Sequence, residues 1–490
     1  MSNNEQGKNT KNSGYKLSEN HIRNEKNSVK MMIVKMFHFI FDIGLFYVAF
    51  IWFRYNRFEN LSTTGFRYNY FLAIGYGVLL YFFAKTYNAN LYGFVRIRLL
   101  ALSYMLSQFF SVSLIYFGVC IAWRRWRSPV PFLILLAIQF IFDILWAYFG
   151  SLIFFKLYPR RKTLLVYRNE LDLKRFGVIQ GKPIERLHMV EDKLKYDGSF
   201  HELEPKLAGY DSIFVAGINS RCRNGILKYC KENGVPGFFL PHVGDTIMQG
   251  AVHIQSFDSP VLYVNRAVMD PAYAFVKRLF DIVSSGIAII LLSPVMLITA
   301  ILIKCYDGGP ALYKQTRLTK NGREFKILKF RSMRVDAEKD GVARLSSGDN
   351  DDRITPVGKF IRKCRLDELP QLFNIFKGDM SVVGPRPERP EIAEQYYETI
   401  PGFKLRLQVR AGLTGYAQVY GKYNTDPYEK LEFDLLYINK MSVLTDLELC
   451  FATFFILFMS ESTEGVSAGS VTALDYEEEA EADSKESSDS

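Results

Sequence analysis

Apolar and polar residues run in long blocks through the first third of the chain. Residues 1–31 are polar and rich in Asn and Lys. Such a segment cannot bury enough apolar surface to offset its ordering cost, and a disordered tail is expected. Four apolar segments follow at about 32–53, 70–87, 99–123 and 129–155. Each approaches the ~20 residues that cross a bilayer as a helix. Residues 32–158 therefore predict four transmembrane helices. Trp123-Arg-Arg-Trp-Arg127 closes the third segment with aromatic and cationic interface anchors, and Lys156 and Arg160-Arg-Lys162 close the fourth. Lys and Arg also crowd the N-terminal tail, so both ends of the block are expected on the cytoplasmic side. The long tail, with no small-residue cleavage site after the first apolar run, does not read as a signal peptide.

The pattern changes after residue 158. Thr163-Leu-Leu-Val-Tyr167, Ser212-Ile-Phe-Val-Ala-Gly217 and Gly237-Phe-Phe-Leu240 are short apolar runs of the kind that form buried strands. A helix over 219–233 is expected to end at Asn233-Gly234. Residues 159–265 thus predict a small parallel α/β module of Rossmann-like type. No GxGxxG follows its first strand, which argues against a dinucleotide and for a spacer or regulatory role.

A fifth apolar segment spans 279–303. Pro294 interrupts its middle, and cations flank both ends at Lys277-Arg278 and Lys304. A helix that breaks at Ser293-Pro294 and returns to the same membrane face satisfies both facts. Further on, Tyr313 to Met333 predicts two strands around a Lys320-Asn-Gly322 turn. Residues 443–459 predict an interfacial apolar helix, and residues 460–490 an acidic, Ser-rich disordered tail.

Composition narrows the chemistry. The net charge is +10, which suits anionic lipid, nucleic acid or phosphorylated substrates. Six scattered cysteines form no CxxC pair, so neither zinc nor a disulfide framework is indicated. Asp42 and Asp143 fall within apolar segments, where acids are functional candidates; His38, four residues before Asp42, offers a structural partner. Asp349-Asn-Asp351 imitates a metal-binding DxD motif but lies in a Ser-Gly-Asp-Asn stretch that reads as a turn.

The densest chemistry lies at Asp367 and Glu368. Neighbours on a helix diverge by about 100°, so these two can divide labour but cannot act as a symmetric pair. One carboxylate could attack phosphorus while the other holds Mg²⁺. Arg362, Lys363, Arg365, Arg386, Lys329 and Arg331 supply cations that suit a diphosphate.

Several blocks occur in order: Lys277-Arg-Leu-Phe-Asp281, Ser293-Pro294, Gln315-x-Arg317, Lys329-Phe-Arg-Ser-Met333, Thr355-x-x-Gly-x-x-x-Arg362, Leu366-Asp-Glu-Leu-Pro-Gln-Leu372, Val383-Gly-Pro-Arg-Pro-Glu388 and Arg410-x-Gly-Leu-Thr-Gly-x-Ala-Gln418. Together they resemble the bacterial polyprenyl-phosphate sugar-1-phosphate transferases, the monotopic phosphoglycosyl transferases. The resemblance implies a catalytic domain over 273–459 with a re-entrant helix, in a multi-pass inner-membrane protein whose catalytic domain is cytoplasmic. It implies that Asp367 attacks the β-phosphorus of a UDP-sugar, releases UMP, and passes the sugar phosphate to undecaprenyl phosphate. It further implies that Glu368, beside Asp367, holds Mg²⁺; that Lys329, Arg331, Arg362 and Arg386 meet phosphates; and that Glu388, Arg410 and Gln418 position nucleotide or sugar. The implied partners are these two substrates, the lipid bilayer, polysaccharide-assembly proteins and a second copy of the chain, but no nucleic acid. Thr319 and Cys364 are minor departures from the family pattern. A transporter would want more polar residues along the helices, and a decayed sensor would not keep the Asp-Glu and Arg blocks. Which UDP-sugar is used is not encoded in any residue pattern.

Overall fold

A computed structural model describes residues 19–57, 65–122, 124, 126, 128–177, 186–256, 259–267, 269–335, 353–421 and 426–456. The chain divides into two compact units, Met1–Leu240 and Pro241–Ser490. The DxD-like Asp349-Asn-Asp351 and the acidic tail lie outside the described residues.

The first unit opens with four helices: α1 (Glu19–Arg57), α2 (Gly65–Thr86), α3 (Ile97–Ala122) and α4 (Val130–Leu157). Their outward faces carry exposed Ile33, Phe71, Ile74, Ile121, Ile141 and Leu145. Inside, Phe46, Tyr76, Val112 and Leu135 pack together, but so do the polar His38, Asp42, Gln108, Gln139 and Asp143. Apolar outside and polar inside is the arrangement that lipid imposes. Residues 27–51, α3 and α4 are long and apolar enough to cross a membrane. Among the described residues, helix α2 does not reach that length and hydropathy. Arg67, Asn69 and Lys85 shorten its apolar run, yet Tyr76 at its centre is fully buried in the bundle.

A four-stranded parallel sheet follows, made of β1 (Arg161–Tyr167), β2 (His188–Lys195), β3 (Ser212–Ala216) and β4 (Gly237–Phe239) in the order β2-β1-β3-β4. Thr163 pairs with Ser212 and Tyr167 with Ala216. Helices α5 (Glu170–Gly177), α6 (Phe200–Leu207) and α7 (Ser220–Asn233) connect the strands. Strand β3 is buried throughout, as a central parallel strand should be. Asn219 caps α7 by accepting from Cys222 N at 2.9 Å, and Gly234 ends it at φ 65°. Strand β2 carried no apolar signal in the sequence. It is an edge strand, His-Met-Val-Glu-Asp-Lys-Leu-Lys, largely exposed along its length.

The second unit begins with α8 (Val243–Gln249) and an antiparallel hairpin, β5 (Val252–Ser256) and β6 (Ser259–Tyr263). Then comes the 37-residue α9 (Pro271–Asp307). Asp270 caps it, accepting from Ala272 N and Tyr273 N at 2.9 and 3.0 Å, with Pro271 in the first turn. Helix α9 does not break at Ser293-Pro294; helical backbone continues through both. Proline cannot donate to the carbonyl four residues earlier, that of Ile290. The hydroxyl of Ser293 donates to that same oxygen at 2.8 Å and replaces the missing bond.

Both halves of α9 pack on the rest of their own unit. That remainder comprises β7 (Leu312–Leu318), β8 (Glu324–Phe330), α10 (Pro356–Lys363), α11 (Gln371–Lys377), β9 (Ser381–Val383), α12 (Pro390–Thr399), β10 (Gly412–Thr414), α13 (Tyr416–Tyr420), α14 (Pro427–Asn439) and α15 (Val443–Ile456). Ala288, Ile289 and Leu292 meet Phe325, Ile327, Leu372 and Ile375, whereas Met296, Ala300 and Ile303 meet Phe330 and Ile361. Polar bonds fix the ends. Arg278 donates to the Ile375 and Phe376 carbonyls, both at 2.8 Å, at the C-terminus of α11. Asp281 accepts from Ser381 Oγ at 3.0 Å and Val382 N at 2.9 Å on β9. Asp307 pairs with Arg331 at the far end. The opposite face bares Ile287, Ile290, Leu291, Leu297 and Ile298.

Asp281 is 1% exposed and holds two donors. Bonds to a charged group are worth roughly 1.5–3 kcal/mol, and stranding their donors adds to the loss. Asp281→Ala is expected to lower the thermal unfolding midpoint by several degrees, read by scanning fluorimetry on detergent-solubilised chain. An unchanged midpoint would show that this anchor contributes no stability.

Candidate active site

The site is built where β8, α10, α11 and the segment after β9 converge. Strands β7 and β8 pair antiparallel with Tyr313 opposite Lys329. Their turn takes Asn321 and Gly322 into the left-handed region, at φ 62° and 74°. Asn374 of α11 grips β8 as a strand would: Leu328 N donates to its Oδ1, and its Nδ2 donates to Lys326 O, both at 2.9 Å. Lys329 is thereby fixed beside the start of α11.

Helix α10 is capped by Thr355, whose Oγ1 accepts from Gly358 N at 2.9 Å, and its last turn carries Arg362 and Lys363. The chain then reverses through Arg365 at φ 55°, a left-handed conformation that costs a non-glycine residue energy. Asp367 and Glu368 follow in a 3₁₀ turn, Leu366–Glu368, rather than on the expected α-helix. With three residues per turn they still diverge, by about 120°.

The two carboxylates are in unlike states. Glu368 Oε1 meets Arg386 at 2.9 Å, and its Oε2 meets Arg365 at 3.6 Å. Burial alone would raise its pKa, but Arg386, Lys329 and Arg365 outweigh burial and hold it below the usual carboxylate range. Among the described residues Asp367 has no such tight partner. Burial first, and the Glu368 charge second, push its pKa above the usual range, with Lys329, Arg362 and Arg365 opposing. Lys329 is itself lowered to about 8, chiefly by burial.

Arg386 is aimed by backbone contacts. Strands β9 and β10 pair in parallel, Gly412 against Ser381, and Gly384 N donates to Thr414 O at 2.8 Å. A Cβ on Gly384 would lie 2.4 Å from Arg410 O, and one on Gly412 would lie 2.1 Å from Gly384 N. Only glycine admits this approach, which explains Val383-Gly-Pro and Gly412-Leu-Thr-Gly415. Arg406, 4% exposed, donates to Arg386 O at 2.9 Å, is ion-paired with Asp434 Oδ2 at 2.7 Å, and lies 3.5 Å from Glu388.

The expected site residues therefore separate. Asp367, Glu368, Lys329, Arg362 and Arg386 come together. Arg331 does not; its guanidinium is taken by Asp307 and it anchors α9. Glu388 is held ionised despite burial by Arg406, Lys430 and Arg317. Arg410 is exposed with no bond to the dyad among the described contacts, while its carbonyl packs on Gly384. Gln418 is half-buried, and neither of its amide atoms has a hydrogen-bond partner among the described residues. Ser293 and Pro294 lie within α9 and make no bond to the charged cluster among the described contacts. Arg406, Asp434 and Asn374 carry structural weight that no sequence pattern announced. Asn374 sits inside the dyad stretch and was the most findable of the three.

A strongly paired carboxylate beside a weakly paired one, ringed by Lys and Arg, is an arrangement for binding and attacking phosphate esters. Residues 272–460 match the bacterial sugar transferase family. A UDP-N-acetylgalactosamine-undecaprenyl-phosphate N-acetylgalactosaminephosphotransferase of Aeromonas hydrophila is 41% identical over 230 residues, covering 46% of this chain and 53% of the relative. A UDP-glucose:undecaprenyl-phosphate glucose-1-phosphate transferase of Escherichia coli K12 is 40% identical over 220 residues, 44% of this chain and 45% of the relative. An exopolysaccharide production protein of Rhizobium leguminosarum bv. phaseoli is 41% identical over 198 residues, 39% of this chain and 96% of the relative. The chain belongs to the bacterial sugar transferase family. The matched region spans about half the length of the first two relatives.

Proposed function

We propose that this protein transfers a sugar 1-phosphate from a UDP-sugar to undecaprenyl phosphate and so begins an exopolysaccharide or capsule repeat unit. The observation that carries this reading is the inequivalence of Asp367 and Glu368. An Asp367 oxygen attacks the phosphorus that bears the sugar. The bond from that phosphorus to the bridging oxygen breaks, and UMP leaves with the electron pair. The acyl phosphate left on Asp367 is attacked by a phosphate oxygen of undecaprenyl phosphate, which frees the carboxylate and yields the lipid diphosphate sugar. A carboxylate with a raised pKa is more basic, and thus a stronger nucleophile, than one clamped by arginine.

Lys329, Arg362 and Arg386 offset the negative charge that would repel that attack. Glu368, kept ionised by its cations, fits Mg²⁺: a hard carboxylate oxygen donor beside the position of the substrate phosphates. When bound, the ion would neutralise charge on the departing phosphate. Gln418, with an unbonded amide, is suited to read the nucleotide or the sugar. Glu388, clamped by arginines, acts through Arg406 and the Arg386 carbonyl, and Arg410 shapes the same turn.

The second unit works from one face of the membrane. Helix α9 is bonded at both ends and along both halves to the same unit, which supports an embedded, non-crossing form whose bared face meets lipid. Its place is the cytoplasmic face of the inner membrane, where nucleotide sugars occur. The four helices and the sheet module carry none of the residues assigned to phosphate, and serve anchoring, spacing, self-association and contact with polysaccharide-assembly proteins.

Incubation with UDP-sugar labelled on the sugar is expected to leave acid-stable, hydroxylamine-labile label on wild-type protein and none on Asp367→Asn. Full turnover by Asp367→Asn would remove Asp367 as nucleophile.

The pH dependence follows with a definite sign. Asp367 must be ionised to attack, so UMP release is expected to fall as pH drops through its raised pKa, above the ordinary carboxylate range. Glu368→Gln removes the second cause of that rise. The remaining rate, well below wild type, should therefore show its acid limb at lower pH. A limb that moves upward would contradict the assignment.

Membrane-impermeant maleimide on intact spheroplasts, with Cys364 replaced, is expected to label neither native Cys305 nor a cysteine introduced at Asp270. Labelling of Cys305 alone from outside would mean that α9 crosses the membrane.

A further inference from the structure

The helical bundle of the first unit holds a second polar site, unrelated in residues to the one above. His38 and Asp42 lie one turn apart on α1, and Asp143 faces them from α4. His38 Nε2 is 3.1 Å from Asp143 Oδ1 and 3.4 Å from Asp42 Oδ2. One donor atom from each of the three lies within 4.8 Å of the others, and all three residues are buried. The imidazole is fixed by rings: Phe142 and Trp146 stack at 5.4 Å and Tyr104 meets it edge-on at 4.3 Å.

The shell around the three residues is incompletely bonded. Gln139 Nε2 donates to Tyr76 Oη at 2.8 Å, and Tyr76 donates to Gln108 Oε1. That chain spends one end of each amide. The Gln108 amide lies close enough to interact with both carboxyls, but among the described residues its buried Nε2 makes no hydrogen bond of normal geometry, and neither do Asp42 Oδ1 and Asp143 Oδ2. No Lys or Arg is bonded to either carboxylate among the described residues. If ionised, the two carboxylates would leave negative charge uncompensated among apolar helices, where an unpaired charge is costly.

The separations have a simple reading. Donor atoms about 2.1 Å from one ion are about 3.0 Å apart in octahedral and about 3.4 Å apart in tetrahedral geometry. The two His38–carboxylate distances, 3.1 and 3.4 Å, fall within that interval. We propose that His38 Nε2 and one oxygen each of Asp42 and Asp143 bind a divalent first-row metal ion within the bundle. One imidazole and two carboxylates suit Zn²⁺ or Mn²⁺ better than Ca²⁺, which prefers more numerous, all-oxygen ligands. Gln108 Nε2 would donate to a carboxylate oxygen left outside the metal shell, the outer support that such ligands usually have. The ion would tie α1 to α4 and cancel the buried charge.

Zinc is the probe. Full-length protein in nanodiscs, stripped with chelator and reloaded with Zn²⁺ under excess Mg²⁺, is expected to retain one Zn²⁺ per chain by mass spectrometry of the metal. The Asp367→Asn/Glu368→Gln double variant should keep that zinc. His38→Gln and Asp143→Asn should each lose it, with affinity falling at least ~10-fold. Co²⁺ in place of zinc should give visible absorption bands typical of nitrogen and oxygen ligands, altered by His38→Gln. Wild-type protein without bound zinc would overturn the proposal. Zinc lost in the Asp367/Glu368 double variant, or retained by both bundle variants through surface thiols such as Cys305 and Cys364, would overturn it equally. If a bundle variant fails to fold, as judged by size-exclusion chromatography, stoichiometry in the Asp367/Glu368 double variant and the wild-type Co²⁺ spectrum still decide: no bound zinc, or a sulfur-to-metal charge-transfer band, overturns the site.

Discussion

The bonding of α9 to the elements on either side of the dyad governs the second unit. Arg278 closes the last carbonyls of α11, the helix that begins just after Asp367 and Glu368. Three residues later, Asp281 holds the backbone of β9, the strand that leads into Arg386. Both bonds leave a single helical turn. The carboxylates and the arginine that polarises one of them are therefore referenced to the same turn of the same apolar helix. A site built across one rigid element keeps its geometry more closely than one hung on loops.

The second constraint is steric. The approach of Gly384 to Arg410 and Gly412 lets two short strands, three residues each, fix the direction of the Arg386 segment. Arg406 then ties that segment's carbonyl to Asp434 and Glu388. Thr319 joins the same arrangement: its hydroxyl donates to Asp379 O and accepts from Ala411 N. What reads in sequence as a departure from the family pattern is here a buried bonding group.

Much of this is legible in the sequence, for identifiable reasons. Long apolar runs, central strands such as Ser212–Ala216 and the turn at Asn321-Gly322 depend on composition and local backbone rules. The charged cluster around Asp367 was visible because its cations lie close in sequence. The failures are equally specific. Edge strand β2 is polar and had no periodic signal. Arg331 looked like a phosphate ligand because charge counts in sequence but direction does not; the nearest carboxylate in space was Asp307. Arg406 and Asp434 pair across 28 positions, and neither belongs to a motif. The helix break expected from Pro294 ignored what Ser293 could do for the orphaned Ile290 carbonyl.

The bared face of α9 has a consequence for how substrate is found. Ile287, Ile290, Leu291, Leu297 and Ile298 are each more than half exposed. Burying such side chains in hydrocarbon is worth roughly 1.5–3 kcal/mol apiece. That sum would keep the second unit on a bilayer even if the first were cut away, a redundancy of attachment. On the function proposed above, it would also confine the carboxylate dyad to the plane in which a polyprenyl acceptor diffuses. Encounter with that acceptor would become a search in two dimensions, set by acceptor molecules per area of membrane, whereas a nucleotide sugar would be captured from solution by volume. The two half-reactions would then respond to different pools, so a cell short of free lipid carrier would stall the second without slowing the first.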